Sequence, residues 1–246
     1  MAWGFFFGST FGKFFPNGEF ERENVPGSSK YRQRLDRHYN LQFSEQKKRL
    51  LGAEAADGFY PSYVADKLMS EDGTRYQKVL PETAPERVIE PHEPPRSFDI
   101  EGRNKALGDI FKTNNRILLV SEPLKDLLEK FEAGVHQFFP IVVTDPVKGE
   151  TEQNYYIFVI GNYLDSFRPY ESKEKSFEQN IQLYRYEENK AGVEGLALAK
   201  DVMASFHIWV ERRFSSPLFC LSDELKEAIT EAGLVIPKHY RVMEVV

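Results

Sequence analysis

Residues 117–134, ILLVSEPLKDLLEKFEAG, carry the clearest fold signal in the chain. Four apolar residues lead to Ser121, whose hydroxyl can accept a bond from a free amide in the first turn of a helix. Pro123 follows at a position where a helix has no backbone donor to lose, and Gly134 is typical of a helix end. The apolar residues between them recur at helical spacing: Leu124, Leu127, Leu128 and Phe131. The stretch predicts a buried strand, an N-cap at Ser121 and an amphipathic helix.

The same order of residues recurs at 218–233, LFCLSDELKEAITEAG. Ser222 takes the cap position, and Asp223 and Glu224 place negative charge at the positive end of the helix dipole. Gly233 again follows the apolar stripe. The recurrence is either an internal duplication of a strand–helix–strand unit or a second, independent use of the same helix-start rules.

Other stretches add strands and few helices. Further β-type runs occur at Phe138–Val143, Tyr155–Ile160 and Ile181–Tyr184, and 202–210 is another apolar segment. The sequence therefore predicts an α+β fold with a mixed or antiparallel sheet and a few helices.

The N-terminal part differs in charge from the rest. Residues 1–56 hold nine Lys or Arg and six Asp or Glu, a balance of +3, whereas the whole chain of 246 residues has a formal net charge of −6. Trp3–Phe15 predicts an aromatic edge segment packed on the body, and Tyr31–Leu51 predicts one or two basic surface helices. We expect 1–56 to form an N-terminal segment and 57–246 an α+β domain.

Two predictions concern the next stretch of the chain. Alternation of apolar residues within 57–80 favours a short strand or hairpin. Proline removes backbone donors, so the five prolines of 81–95 predict an extended, partly exposed connector. These prolines are Pro81, Pro85, Pro91, Pro94 and Pro95.

Composition excludes several classes of protein. The net charge of −6 disfavours a nucleic-acid partner. A single cysteine, Cys220, excludes an internal disulfide framework and suits a reducing compartment. The sequence has no run of 18 apolar residues, and its glycine-interrupted start is unlike a signal peptide. We therefore expect no membrane association and a cytoplasmic location.

The sequence contains no motif that indicates catalysis. We find neither a phosphate-binding glycine loop nor a nucleophile elbow nor a zincin motif. His207 and Glu211 are the first pair to test for a metal, but no third ligand accompanies them. Cys220 lies in an apolar strand, where a thiol is inert. We predict that the chain has no catalytic residue, no cofactor and no metal.

Several stretches resemble a known family. They are ILLVSEPLKDLLEKFEAGVHQFFPIVV from residue 117, YYIFVIGNYLDSF from residue 155 and FHIWVERRFSSPLFCLSDELKEAITEAGL from residue 206. Together they resemble the bacterial immunity proteins of polymorphic toxin systems known as immunity protein family eleven. The resemblance covers about 57–246, and it departs from the family's pattern at Leu234–Pro237, where relatives have a Gly-rich turn. That departure leaves the register of the final strand open.

The resemblance implies a protein that binds a cognate toxin in the producer's cytoplasm and acts without catalytic residues or a cofactor. An acidic body suits a basic partner. We predict that the rim of the binding face includes the acidic residues of the polar connections: Glu171, Glu174, Glu187, Glu188 and Glu194. The alternatives are a hydrolase that uses His207 or His136, and a structural adaptor that docks through residues 1–20.

Overall fold

A computed structural model describes residues 1–8, 10–22, 30–54, 60–69, 89–101, 106–145, 149–151, 153–179 and 183–246. In these ranges the chain forms an α+β fold with two mixed sheets, which confirms the predicted fold class. No helix of the described ranges has the length and apolarity needed to cross a membrane.

The larger sheet has the strand order β2-β3-β6-β8-β5-β4, with β7 paired to β6. Only β3 and β6 run parallel, and the other neighbours are antiparallel. Its strands are β2 (Gly18–Phe20), β3 (Ser97–Ile100), β4 (Ile110–Lys112), β5 (Leu118–Ser121), β6 (Gln137–Asp145), β7 (Gly149–Glu150) and β8 (Tyr155–Val159).

The smaller sheet has the order β15-β1-β14-β13-β9, in which only β9 and β13 are parallel. Its strands are β1 (Ala2–Phe5), β9 (Tyr163–Leu164), β13 (Ile208–Glu211), β14 (Leu218–Ser222) and β15 (His239–Arg241). Two strand pairs flank it: antiparallel β10 (Phe177–Gln179) with β11 (Tyr184–Tyr186), and parallel β12 (Ala197–Ala199) with β16 (Met243–Val245).

The helices are α1 (Lys30–Gln42), α2 (Glu45–Glu54), α3 (Tyr60–Leu68), α4 (Glu122–Phe131), α5 (Lys190–Glu194), α6 (Lys200–Met203) and α7 (Asp223–Glu231). The helices α1 and α2 confirm the prediction for Tyr31–Leu51, and Leu35 is the residue of α1 that is buried. The strand or hairpin predicted within 57–80 is wrong for its described part, because Tyr60, Val64 and Leu68 bury one face of the helix α3.

Alternate residues of the strands face different cores. Leu119 packs into a core with α1 and α3, whereas Leu118 and Val120 pack into a central core that both sheets share. In β14, Phe219 joins the same central core, and Cys220 faces a third core beneath β10 to β12. Both sheets are therefore covered on both faces, and the helices α4 and α7 lie in the central layer.

The two strand–helix steps recur in the structure with the same topology. In one unit, β5 and β6 flank the antiparallel β8, and α4 joins them. In the other, β14 and β15 flank the antiparallel β1, and α7 joins them. An antiparallel neighbour, β4 or β13, borders each unit on the outside.

Side-chain detail repeats at matching positions of the two units. Tyr156 of β8 donates to Glu122 at 3.1 Å, and Trp3 of β1 donates to Asp223 at 2.5 Å, so each helix begins with an acid held by an aromatic donor. The ammonium of Lys125 lies 5.2 Å from the Tyr156 ring, and that of Lys226 lies 5.1 Å from the Trp3 ring. Shared topology and matched contacts favour duplication over chance recurrence.

Both predicted N-caps are confirmed. The Ser121 hydroxyl accepts from the amide of Leu124 at 3.4 Å, and the Ser222 hydroxyl accepts from that of Leu225 at 3.2 Å. Gly134 and Gly233 follow the helices with φ of +72° and +68°, conformations that favour glycine.

We expect Ser222→Ala to lower the free energy of unfolding by about 1 kcal/mol, because the Leu225 amide loses its acceptor. Urea unfolding monitored by tryptophan fluorescence measures the change. Ser215→Ala, at an exposed serine outside any helix, is the matched control and should change little. Equal stability of the Ser222 variant and the wild type would contradict the capping role.

Two further predictions are corrected by the structure. Trp3–Phe15 was expected at an edge, but β1 lies inside the smaller sheet, because it pairs antiparallel with β14 on one side and with β15 on the other. The connector predicted at 81–95 is described only from residue 89. There it turns rather than extends, and Pro94 and Pro95 are buried. After Pro237 the chain continues into β15, where Arg241 is paired with Trp3, which gives the register of this strand.

Candidate functional site

The five glutamates predicted for the partner rim lie in one part of the structure. We call residues 168–195, as far as they are described, the hairpin lobe; it contains the 3-10 turn Pro169–Glu171, the β10–β11 pair and α5. The amide of Lys173 donates to the carbonyl of Gly195 at 2.8 Å, and that of Glu187 donates to the carbonyl of Ser176 at 3.0 Å. These long-range bonds bring the segments that carry the five glutamates together.

The hairpin lobe has a mixed charge. Glu188 accepts from Ser216 at 2.6 Å, Glu194 lies 3.7 Å from Lys190, and the other three glutamates are exposed. Cations stand among them at Arg168, Lys173, Lys175, Arg185 and Lys190. The acidic residues are available to a partner, but the lobe is not a uniformly acidic surface.

A buried carboxylate joins the two units of the fold. Glu132, at the end of α4, is 8% exposed and receives four hydrogen bonds. Its Oε1 accepts from the amide of His207 at 2.8 Å and from Asn162 at 3.0 Å. Its Oε2 lies 2.7 Å from His136 Nε2 and accepts from the amide of Ile208 at 3.3 Å. Burial by itself raises the pKa of Glu132, but the bonds from His136 and from these amides hold it below its ordinary value.

The contact between the units is reciprocal. Glu132, at the end of α4, binds the residues that begin β13, and Val235, which follows α7, binds the residue that precedes β4. The amide of Val235 donates to the Asp109 carboxylate at 2.6 Å, and that carboxylate also accepts from the Ser121 hydroxyl at 2.7 Å. The end of each helix is thus hydrogen-bonded at the start of the strand that borders the other unit.

The residues considered for catalysis have structural partners. His136 Nδ1 accepts a hydrogen bond from the amide of Gly161 at 3.1 Å, so Nε2 carries the hydrogen and donates a hydrogen bond to Glu132. Both ring nitrogens therefore have structural partners. His207 Nδ1 lies 3.0 Å from the hydroxyl of the N-cap Ser222. Cys220 is buried, and burial raises the pKa of its thiol well above the ordinary value.

Glu211 is a buried carboxyl that the sequence did not single out except as a metal candidate with His207. It is 1% exposed, and its Oε2 accepts from the amide and hydroxyl of Ser166 at 3.0 and 2.6 Å. Its Oε1 and the indole Nε1 of Trp209 are buried and have no hydrogen-bond partner among the described residues. Burial raises the pKa of Glu211 to about 7. His207 and Glu211 have different partners, and no group of three His, Cys, Asp or Glu in the described ranges could hold a metal ion.

A cationic groove lies on the other outer layer, above the core beneath α1. We define the arginine groove by its lining residues, which come from α1 and from the segment before β3: Arg34, Arg37, His38, Leu41, Gln42, His92 and Arg96. Three of them, Arg34, His38 and Gln42, follow each other at four-residue spacing along α1. The rings of His38 and His92 stack with centroids 3.5 Å apart.

A buried polar network supports the groove from below. Glu93 is 1% exposed and binds the ammonium of Lys67 at 2.5 Å and the hydroxyl of Tyr60 at 3.0 Å. The same hydroxyl lies 2.6 Å from His92 Nε2. Burial, with a smaller effect of His38, lowers the pKa of His92. The spacing of the α1 residues was visible in the sequence, but their meeting with His92 depends on the fold.

Comparison with known proteins gives a family. No curated protein matches the chain. The model of the Immunity protein family (Imm11) matches residues 24–244, so the match begins upstream of residue 57, where the resemblance was expected to start. It covers the first strand–helix unit, the hairpin lobe and the α1 layer, and all of the second unit except β1. The chain belongs to the Immunity protein family, Imm11.

Proposed function

We propose that this protein neutralises a cognate bacterial toxin by binding it in the cytoplasm of the producing cell, without modifying it. The observation that carries the proposal is the family match, which extends over 24–244. The surroundings of three titratable residues support the proposal. His136 is hydrogen-bonded to Glu132, His207 lies beside the N-cap Ser222, and Cys220 is buried, so we assign none of them a catalytic role. The chain acts by occupying a surface of its partner.

Neutralisation by binding requires a long-lived complex. A few free toxin molecules are enough to harm the producer, so dissociation has to be slow, and affinity is set mainly by the dissociation rate. We expect a dissociation constant of about 1 nM or below, which corresponds to about −12 kcal/mol. Co-expression with the toxin encoded beside this chain, scored by survival and followed by calorimetry, tests the proposal. Cell death despite folded protein, together with no heat of binding, would overturn it.

The rim of the toxin-binding face is proposed to include the five glutamates of the hairpin lobe. Connections outside the main sheets can vary with the partner while the cores stay intact. The net charge of −6 favours a toxin with a basic surface, because complementary charge speeds and orients association.

Reversal of these charges is expected to slow association about tenfold at low salt and to weaken the salt dependence of the rate. The variant changes Glu171, Glu174, Glu187, Glu188 and Glu194 to Lys, and stopped-flow mixing with the toxin measures the rate. The control for net charge is Glu227→Lys with Glu231→Lys, at two exposed positions on α7. Because the two variants reverse different numbers of charges, the change in association rate is compared per reversed charge. An equal effect per charge in both variants would place the rim elsewhere while leaving toxin binding intact.

A further inference from the structure

We propose that the arginine groove is a second binding surface, separate from the hairpin lobe, and that it takes carboxylate side chains of an acidic peptide segment. It lies on the α1 side of the larger sheet, whereas the hairpin lobe covers the smaller sheet. The two surfaces therefore face away from the shared central core in different layers.

Unbalanced positive charge is the first support. Arg34 is neutralised by Glu21, 2.7 Å away. The exposed guanidinium groups of Arg37 and Arg96 form no ion pair with any described residue, and no carboxylate is among the residues that line the groove. Two uncompensated guanidinium groups at one depression in a chain of net charge −6 favour an anionic ligand.

The walls of the groove are fixed before a ligand arrives. Arg34 donates to the carbonyl of His92 and, at 2.9 Å, to that of Pro94, and so ties α1 to the opposite wall. Tyr31 on the same helix donates to the carbonyl of Glu93 at 2.8 Å. The ion pair of Lys67 with Glu93 anchors that wall to α3. A preformed site loses less conformational entropy on binding than a flexible one.

The floor is a pair of stacked imidazole rings, those of His38 and His92. The hydroxyl of Tyr60 gives its only proton to Glu93, so toward His92 it can only accept, and His92 Nε2 is the donor. This bond holds His92 in the plane on which His38 stacks. The cations that a ligand meets are thus the guanidinium forks of Arg37 and Arg96 above a flat imidazole surface.

The residues that line the groove suit a peptide carboxylate. A guanidinium fork matches a carboxylate with two parallel hydrogen bonds. Leu41 borders the groove and is 69% exposed, which suits an apolar residue beside the acidic one. The net charge of −6 disfavours nucleic acid as the ligand.

Titration with a fluorescent hexaglutamate peptide at low salt, followed by anisotropy, tests the inference. We expect saturable binding to the full chain and about tenfold weaker binding to Arg37→Glu with Arg96→Glu. Arg185→Glu with Lys173→Glu, an equal charge change on the hairpin lobe, should stay within about twofold of the wild type. Arg37→Gln with Arg96→Gln replaces the first variant if its unfolding midpoint shows that it does not fold.

Any of the following results would overturn the inference. Absence of saturable binding to the full chain, or an equal loss in both charge variants, would show that the groove does not select carboxylates. Displacement of the peptide by inorganic phosphate at a lower concentration than by glutarate would reassign it to phosphate. The assay contains no toxin, so its failure leaves toxin binding standing, and failure of toxin binding leaves this result unaffected.

Discussion

Glu132→Gln is expected to lower the free energy of unfolding by about 3 kcal/mol. Both carboxylate oxygens accept from two donors each. An amide can present its oxygen to only one of these donor pairs, so its NH2 group faces the other pair in either orientation. Leaving such donors buried without an acceptor costs about 1–3 kcal/mol for each.

Urea unfolding at neutral pH measures this loss, and Glu129→Gln on the same helix is the control. Glu129 is 49% exposed and pairs with Lys125 at 2.9 Å, so its change should stay below about 0.5 kcal/mol. Similar small losses in both variants would show that the Glu132 cluster does not hold the two units together.

Glu211→Gln is expected to change the pH dependence of stability rather than to shift it uniformly. The pKa of Glu211 is raised from 4.5 to about 7 in the folded protein. Between these values the folded chain binds more protons than the unfolded chain, so stability is fully present below pH 4.5 and falls as pH rises toward 7. The shift corresponds to about 3 kcal/mol, and a neutral Gln removes it.

The measurement is the difference in unfolding free energy between the variant and the wild type at pH 5 and at pH 8. That difference should move in favour of Gln by about 3 kcal/mol over this interval, since other titrating groups affect both proteins alike. Glu178→Gln, an exposed position on β10, should show no such movement. A difference that is equal at both pH values would contradict a protonated Glu211.

The parts of the fold that the sequence predicted are those encoded locally. Ser121 and Ser222 act within one helical turn of themselves, so strand, cap and helix follow from neighbouring residues. Tyr60–Leu68 also carries a helical i, i+4, i+8 pattern, but the alternation of apolar residues within 57–80 suggested a strand. Burial of one helix face in the tertiary structure decided otherwise.

What the sequence did not predict depends on distant partners. Ala2–Phe5 is an interior strand because two strands near the other end of the chain bracket it. Glu132 and His136 stand four residues apart, yet a helix end intervenes, so spacing alone gave no reason to expect their bond. The arginine groove needs His92 brought against α1, and the five glutamates needed the fold to place them among lysines and arginines.

The position of β1 has a consequence for when the smaller sheet can form during synthesis. Trp3 bonds to Asp223 across 220 positions of the chain, and β1 pairs with strands on either side of that residue. At about 5–20 residues per second the ribosome needs roughly 10–45 s to make the intervening segment. Until then β1 lacks both of its neighbouring strands, and Phe5 and Phe7 lack the Phe219 ring against which they pack. The first strand to be synthesised is therefore among the last to find its partners.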